Sequence, residues 1–183
     1  MTTIDQTHSS PQSSSDSLSP IKTAGIILIG HELLSAKIKD ENAFYLMKRL
    51  RSLGVQVQRV LMIPDDSSII AHEVAQASQD YDFVFTSGGV GPTHDDITLE
   101  AIVQAFNVDL YLDPQLADII RNHFKERLTD AHLRMAHIPQ ESHLIWIEES
   151  SWPIYSMKNV YILPGIPQIF KAKFESIAHL FRH

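Results

Sequence analysis

The feature that most narrows what this chain can fold into is an alternation of two periodicities along residues 23–181. Short apolar stretches rich in branched side chains, Thr23–Ile29, Val55–Ile63, Asp82–Ser87, His143–Ile147 and Asn159–Leu163, alternate with segments whose apolar residues recur at helical spacing. Runs of this length bounded by turn residues read as strands buried on both faces. A helix is expected from about Asp40, with Ala43, Leu46, Met47, Leu50 and Leu53 on one side and Gly54 where a C-terminal cap belongs. Ser67 is expected to cap a second helix through about Gln79, burying Ile70, Val74 and Ala77. Further helices are expected over about Asp95–Phe106, from near Pro114 at a first helical position, and over Pro167–Phe181. Strands alternating with helices predict an α/β fold of three layers, a mostly parallel sheet with helices on both faces.

One domain is expected over residues 22–183, preceded by a leader at 1–21. Seven of the eleven residues from Ser9 to Ser19 are serines, too polar to offset the entropy of ordering, so the leader is expected to be disordered. The chain has no cysteine, which excludes disulfides, thiolate metal sites and a cysteine nucleophile. Its net charge of −7, without a basic cluster, argues against long nucleic acids, whose phosphates demand a basic surface. A small phosphorylated ligand stays open, if backbone N–H groups or a metal neutralise it. No apolar run suits a membrane span or the centre of a signal peptide, so a cytoplasmic chain with no membrane partner is expected.

The third expected strand runs directly into Ser87-Gly-Gly-Val-Gly-Pro92. In open α/β sheets, ligands sit beyond the carboxyl ends of the strands. Gly88, Gly89 and Gly91 allow close backbone approach, and successive N–H groups in such a turn can form an anion-binding concavity. A tight turn that merely needs small residues explains the same glycines. Asp95 and Asp96 also have two readings: acids favoured in a first helical turn, or a carboxylate pair holding a hard cation beside a bound phosphate.

Ser87-Gly-Gly-Val-Gly-Pro-Thr-His-Asp-Asp-Ile-Thr98 resembles the signature of the molybdopterin-binding domain. Its Gly-Pro-Thr-His-Asp-Asp version is that of the CinA-type amino-terminal domain and of the molybdopterin-binding-like half of eukaryotic FAD synthases. Ile29–Leu34, Asp40–Asn42, Leu50–Gly54, Leu133–Ala136 and Leu163–Pro167 follow in the family's order, so the likeness spans about residues 23–181. Three departures stand out: His31 in place of the usual Asp, Ala36 where glycine is common, and Glu41 where the family has Thr. If the missing Asp served a metal, His31 can replace it with a different metal preference.

The resemblance implies a pocket for a bulky ring system joined to phosphate. It further implies a divalent-metal-dependent hydrolase of nucleotide pyrophosphates, of the ADP-ribose or FAD class, using Mg²⁺, Mn²⁺ or Co²⁺. Asp95 and Asp96 would hold the metal, Asp96 being the stronger candidate, and Glu32 would act as ligand or base. Ser87, Gly88, Gly89, Gly91, Thr93, His94 and Gly165 would contact the phosphorylated ligand. Asp40 and Asn42 read as a helix cap or as pocket wall. The same glycines and Asp96 would equally serve a molybdopterin-binding protein of cofactor biosynthesis, or a catalytically silent binding module. A homo-oligomer, dimer or trimer, is also implied.

Overall fold

The structure is a computed structural model that describes residues 20–147 and 150–182. The expected leader, apart from its last two residues, lies outside the described residues. In chain order the elements are β1 (Thr23–Ile29), α1 (His31–Leu34), α2 (Asn42–Ser52), β2 (Gln56–Ile63), α3 (Ser67–Asp80), β3 (Phe83–Ser87) and α4 (Thr98–Phe106). Then follow β4 (Leu110–Leu112), α5 (Pro114–Phe124), α6 (Asp130–Arg134), β5 (His137–Pro139), β6 (His143–Ile147), β7 (Ser150–Met157), β8 (Val160–Leu163) and α7 (Pro167–Ile177).

Six strands form one sheet in the order β2-β1-β3-β8-β7-β6, and β4 pairs with β5 as a separate ribbon. The β2, β1, β3 and β8 strands are mutually parallel, β7 runs against β8, and β6 runs against β7. The mostly parallel sheet expected from the alternation is therefore present, with β7 as its one reversed strand.

Side chains alternate across the pleat and build two cores. Ala24, Ile26 and Leu28 of β1, with Phe85 of β3, meet Leu46 and Leu50 of α2 and Phe170 and Phe174 of α7. Ile27 and Ile29, with Val84, meet Ile70 and Val74 of α3, Ile102 of α4 and Leu116 and Ile120 of α5. Burying each such side chain contributes about 1.5–3 kcal/mol, which makes the sheet the fixed frame of the molecule.

Local chemistry sets the element ends. The α2 helix closes as the spacing predicts. Gly54, at φ 87°, donates to the Arg51 carbonyl at 3.2 Å, while the Val55 N–H donates to Leu50 at 3.0 Å. The α3 cap is Asp66 rather than Ser67; its carboxylate accepts from the Ser68 and Ile69 N–H groups. The α5 helix starts at Pro114, with Asp113 accepting from the Leu116 N–H. Asp82 ties the starts of β1 and β3 together by accepting from the Thr23 N–H and hydroxyl and from Lys22.

β7 is absent from the sequence reading. Pro153 lies within it, and proline argues against an interior strand. The pairing of β6 with β7 shifts between Ile145 and Ile147, and Pro153 falls in that irregular stretch. The bulge accommodates the missing N–H and lies at the end of the sheet where the main cavity opens.

Candidate functional site

A cavity of about 810 Å³ lies beyond the carboxyl ends of β1, β3 and β8, bounded on one side by the bulged start of β7. Its size is that of a small-molecule site. Ile29, Leu33, Val90, Met135, Trp152 and Ile166 give it mostly apolar walls.

The glycine turn forms one wall, and two of its glycines are required by packing. A Cβ on Gly88, at φ 108°, would lie 2.3 Å from the Ile29 carbonyl oxygen. One on Gly89, at φ 68°, would lie 2.3 Å from the Thr98 hydroxyl. The turn is thus wedged between the end of β1 and the start of α4. The Thr98 hydroxyl donates to the Gly88 carbonyl at 2.9 Å, and the Thr98 N–H donates to Gly89 at 3.0 Å. The Gly88 N–H is spent on Leu163. The N–H groups of Gly89, Val90 and Gly91 have no protein acceptor among the described residues, and all three residues line the cavity. The tight-turn reading accounts for the glycines; the three amides keep the anion-binding reading in place beside it.

Asp95 and Asp96 precede the helix instead of opening it, because α4 begins at Thr98. Asp96 folds back on Thr93, accepting through Oδ2 from the Thr93 N–H at 2.8 Å and hydroxyl at 2.6 Å. Its Oδ1 has no protein donor among the described residues, and the residue lines the cavity. Asp95 pairs instead with the His94 imidazole at 3.0 Å, with 67% and 89% of their side chains exposed. Neither Asp95, His94 nor Thr93 lines the cavity. The structure therefore brings Asp96 to the cavity, makes Thr93 its support, and leaves Asp95 and His94 on the outer surface. Among the described residues, no group of three or more His, Asp or Glu side chains is assembled to hold a metal ion.

Glu32 lines the cavity from α1, exposed and with no ion-pair partner among the described residues. His31 does not line it; its N–H donates to Asp65 at 2.8 Å and the residue is exposed. Asp40 is the expected cap of α2, accepting from the Asn42 and Ala43 N–H groups, and also part of the wall. Glu41 pairs with Lys171 at 3.1 Å. Asn42 is 5% exposed and donates through Nδ2 to Ser87 Oγ and to the Gly165 carbonyl. Its buried Oδ1 has no protein partner among the described residues. Gly165, packed so that its Cβ would meet Gly88 Cα at 3.4 Å, belongs to a second turn held against the first.

Several cavity residues were not singled out from sequence. Met135 enters the wall, while Arg134 beside it stays outside the cavity lining and donates to the Thr93 carbonyl at 3.5 Å. Trp152 and Tyr155 come from β7; burial pushes the Tyr155 phenol well above its ordinary pKa. Lys173 is 7% exposed and lines the cavity, its ammonium donating to the Trp152 carbonyl at 2.7 Å and the Pro153 carbonyl at 3.0 Å. Burial brings its pKa down to about 8. The available signal was periodicity, since Lys173 falls on the same helical face as Phe170, Phe174 and Ile177.

A six-stranded, mostly parallel sheet with a glycine turn and an aspartate at its carboxyl edge defines a molybdopterin-binding-type domain. Residues 25–183 match the family model described as a probable molybdopterin binding domain, MoCF_biosynth, and the chain belongs to that family. It is 36% identical over 156 residues to a protein of Archaeoglobus fulgidus, covering 85% of this chain and 67% of that one. It is 33% identical over 178 residues to a probable FAD synthase of Caenorhabditis briggsae, covering 85% of this chain and 34% of that protein. The chain thus spans about a third of that synthase. The crystal structure of the protein CinA from Thermoplasma acidophilum superposes with a TM-score of 0.80 at 30% identity, over 87% of this chain and 98% of that one. The molybdopterin biosynthesis enzyme MoaB of Thermus thermophilus shares the fold, with a TM-score of 0.56 at 18% identity over 87% and 91% of the two chains. No helix among the described residues is long and apolar enough to cross a membrane.

Proposed function

We propose that the chain is a divalent-metal-dependent hydrolase of nucleotide pyrophosphates of the ADP-ribose or FAD class. The observation that carries this reading is the placement of three acceptor-free amides, Gly89 to Gly91, beside the Asp96 carboxylate in one apolar cavity. Amides fixed by the sheet and turn bind phosphate without reorganising. The apolar walls suit a ring system attached to that phosphate.

In a chain of net charge −7 a diphosphate needs a counter-charge. Mg²⁺ is commonly held by one or two carboxylates and completes its shell with substrate phosphate oxygens and water. Asp96, through its unclaimed Oδ1, fits that pattern, so Mg²⁺, Mn²⁺ or Co²⁺ would be held jointly by Asp96 and the ligand. Such an ion polarises a phosphoryl oxygen and acidifies an attacking water. Glu32 is the cavity carboxylate left to receive the proton, since Asp40 caps α2 and Glu41 is paired with Lys171. The likeness to a probable FAD synthase supports a ligand of the FAD class.

The test is hydrolysis of ADP-ribose, FAD and NAD by the purified chain with each metal and with chelator. Chelator-sensitive release of AMP, lost in Asp96→Asn, is the expected result. No turnover with any pair overturns the reading. The family description favours molybdopterin as the second ligand to try; its co-purification without turnover would assign the cavity to pterin binding.

A further inference from the structure

We infer that Lys173 is a second anion-binding point of the cavity, placed to take an anionic oxygen of the ligand on the wall formed by α7 and the bulged start of β7. The inference rests on the cavity being the ligand site, and it deepens that reading by naming a group that selects the ligand.

An ammonium group has three donors. Two of those of Lys173 are taken by the Trp152 and Pro153 carbonyls, and one is left on a residue that lines the cavity. Both acceptors are neutral. No carboxylate lies within ion-pair distance of Lys173 among the described residues, although 93% of the residue is withdrawn from solvent. A buried cation without a counter-ion is unfavourable, and the flanking positions Phe170, Phe174 and Ile177 show that an apolar residue packs well on this face. The local structure nevertheless provides for the charge, since the β7 irregularity brings two carbonyl oxygens onto one nitrogen.

The other ionisable groups facing this space do not neutralise Lys173. Asp40 caps α2, Glu41 pairs with Lys171, Asp96 holds Thr93, and burial keeps the Tyr155 phenol protonated. Glu32 and Lys39 are exposed. On α7 itself Glu175 is engaged by Arg49. An anionic oxygen of the ligand is therefore the missing partner. The glycine turn and Lys173 together favour a ligand with more than one anionic group, or with a diphosphate long enough to reach both walls.

The test uses the full chain labelled with ¹³C-lysine, and the variants Lys173→Met and Lys173→Arg, titrated with inorganic pyrophosphate and with ADP-ribose at pH 7 and pH 9. Expected are a shift of the Lys173 side-chain signal on adding either anion and a titration midpoint displaced upward by about one unit or more. Affinity of the unsubstituted chain should fall about tenfold between pH 7 and pH 9, following loss of the ammonium form. Lys173→Met should bind about tenfold more weakly at pH 7, with no such pH dependence, while Lys173→Arg retains part of the affinity. A melting temperature of Lys173→Met at or above that of the unsubstituted chain separates lost binding from lost folding. An unmoved Lys173 signal with both anions, or equal affinities of the unsubstituted and methionine forms, overturns the inference. ADP-ribose bound with a Lys173 shift but not hydrolysed overturns the hydrolase reading alone. Hydrolysis with Lys173 unmoved overturns this one alone.

Discussion

Asn42 and Gly165 stand 123 residues apart in the chain, yet the Asn42 amide donates to the Gly165 carbonyl at 2.8 Å and, with its other hydrogen, to Ser87 Oγ at 2.9 Å. One buried side chain thereby fastens the turns after β3 and β8 to the start of α2. Asn42→Ala removes both bonds and leaves their acceptors poorly satisfied. A loss of about 2–3 kcal/mol in chemical denaturation is expected, along with at least tenfold weaker ligand binding. A loss below about 0.5 kcal/mol would show that the turns do not depend on the clamp.

Asp95 and Asp96 are adjacent in sequence and differ in employment, which predicts different mutants. Asp95→Asn affects an exposed pair with His94 and should change stability by less than about 0.5 kcal/mol. It should leave metal-dependent activity within about threefold. Asp96→Asn keeps an oxygen able to accept from Thr93 but loses the charge at Oδ1, so activity should fall at least a hundredfold with the fold retained. Parallel kinetics and melting curves check both. Equal activity losses in the two variants would contradict this division.

How much of this was readable beforehand follows the range of the interactions. β1 was legible to the residue because a strand covered on both faces must be apolar throughout. The α2 terminus was legible because Gly54 acts through its own neighbours. The sequence pattern puts the start of α4 three residues early, because two acids ahead of a helical pattern look like first-turn residues. That Asp96 closes on Thr93 depends on where Gly88 and Gly89 pack. β7 was hidden because Pro153 is tolerated only where the β6 register shifts. Asn42 was recognised as a wall or cap residue, but its two acceptors come from strands far along the chain.

Ala36 has φ 55°, in the left-handed region, within the segment joining α1 to α2. A side chain there costs about 1–2 kcal/mol, while glycine would cost about 0.4–1 kcal/mol through the larger freedom of the unfolded chain. Ala36→Gly should therefore stabilise the fold by roughly 0.5–1 kcal/mol, read as an increased denaturation midpoint. Destabilisation would mean that the Ala36 methyl contributes packing that outweighs its strain.

Hydrogen bonds from Lys22 and from Thr23 hold the Asp82 carboxyl down to a pKa of about 2. A carboxylate depressed in the folded state adds stability above its unfolded pKa, near 3.8, and loses it as pH falls through 2. A third of the side chain is exposed, so solvent screening reduces the contribution to about 1 kcal/mol. Asp82→Asn should be less stable by that amount at pH 7. The difference should shrink between pH 4 and pH 2; a gap that persists at pH 2 would assign it to packing instead of charge.

Lys173 has the same direction of pH dependence at higher pH, but as a cost that is relieved instead of a stabilisation that is gained. Burial lowers its pKa from 10.5 to about 8, so between those values the unfolded chain binds more protons than the folded one. Stability contributed by this residue must then rise with pH across that window, and below pH 8 the full cost of the buried cation is present. Lys173→Met keeps a similar volume, removes the charge and gives up two hydrogen bonds to carbonyls. It should be more stable than the unsubstituted chain by about 1–3 kcal/mol at pH 7, with the advantage narrowing from pH 8 toward pH 10.5. Denaturation curves at pH 7, 8.5 and 10 follow this directly. A methionine variant that is less stable at pH 7 would mean that the two carbonyls solvate the ammonium well enough to make the residue a structural tie between α7 and β7.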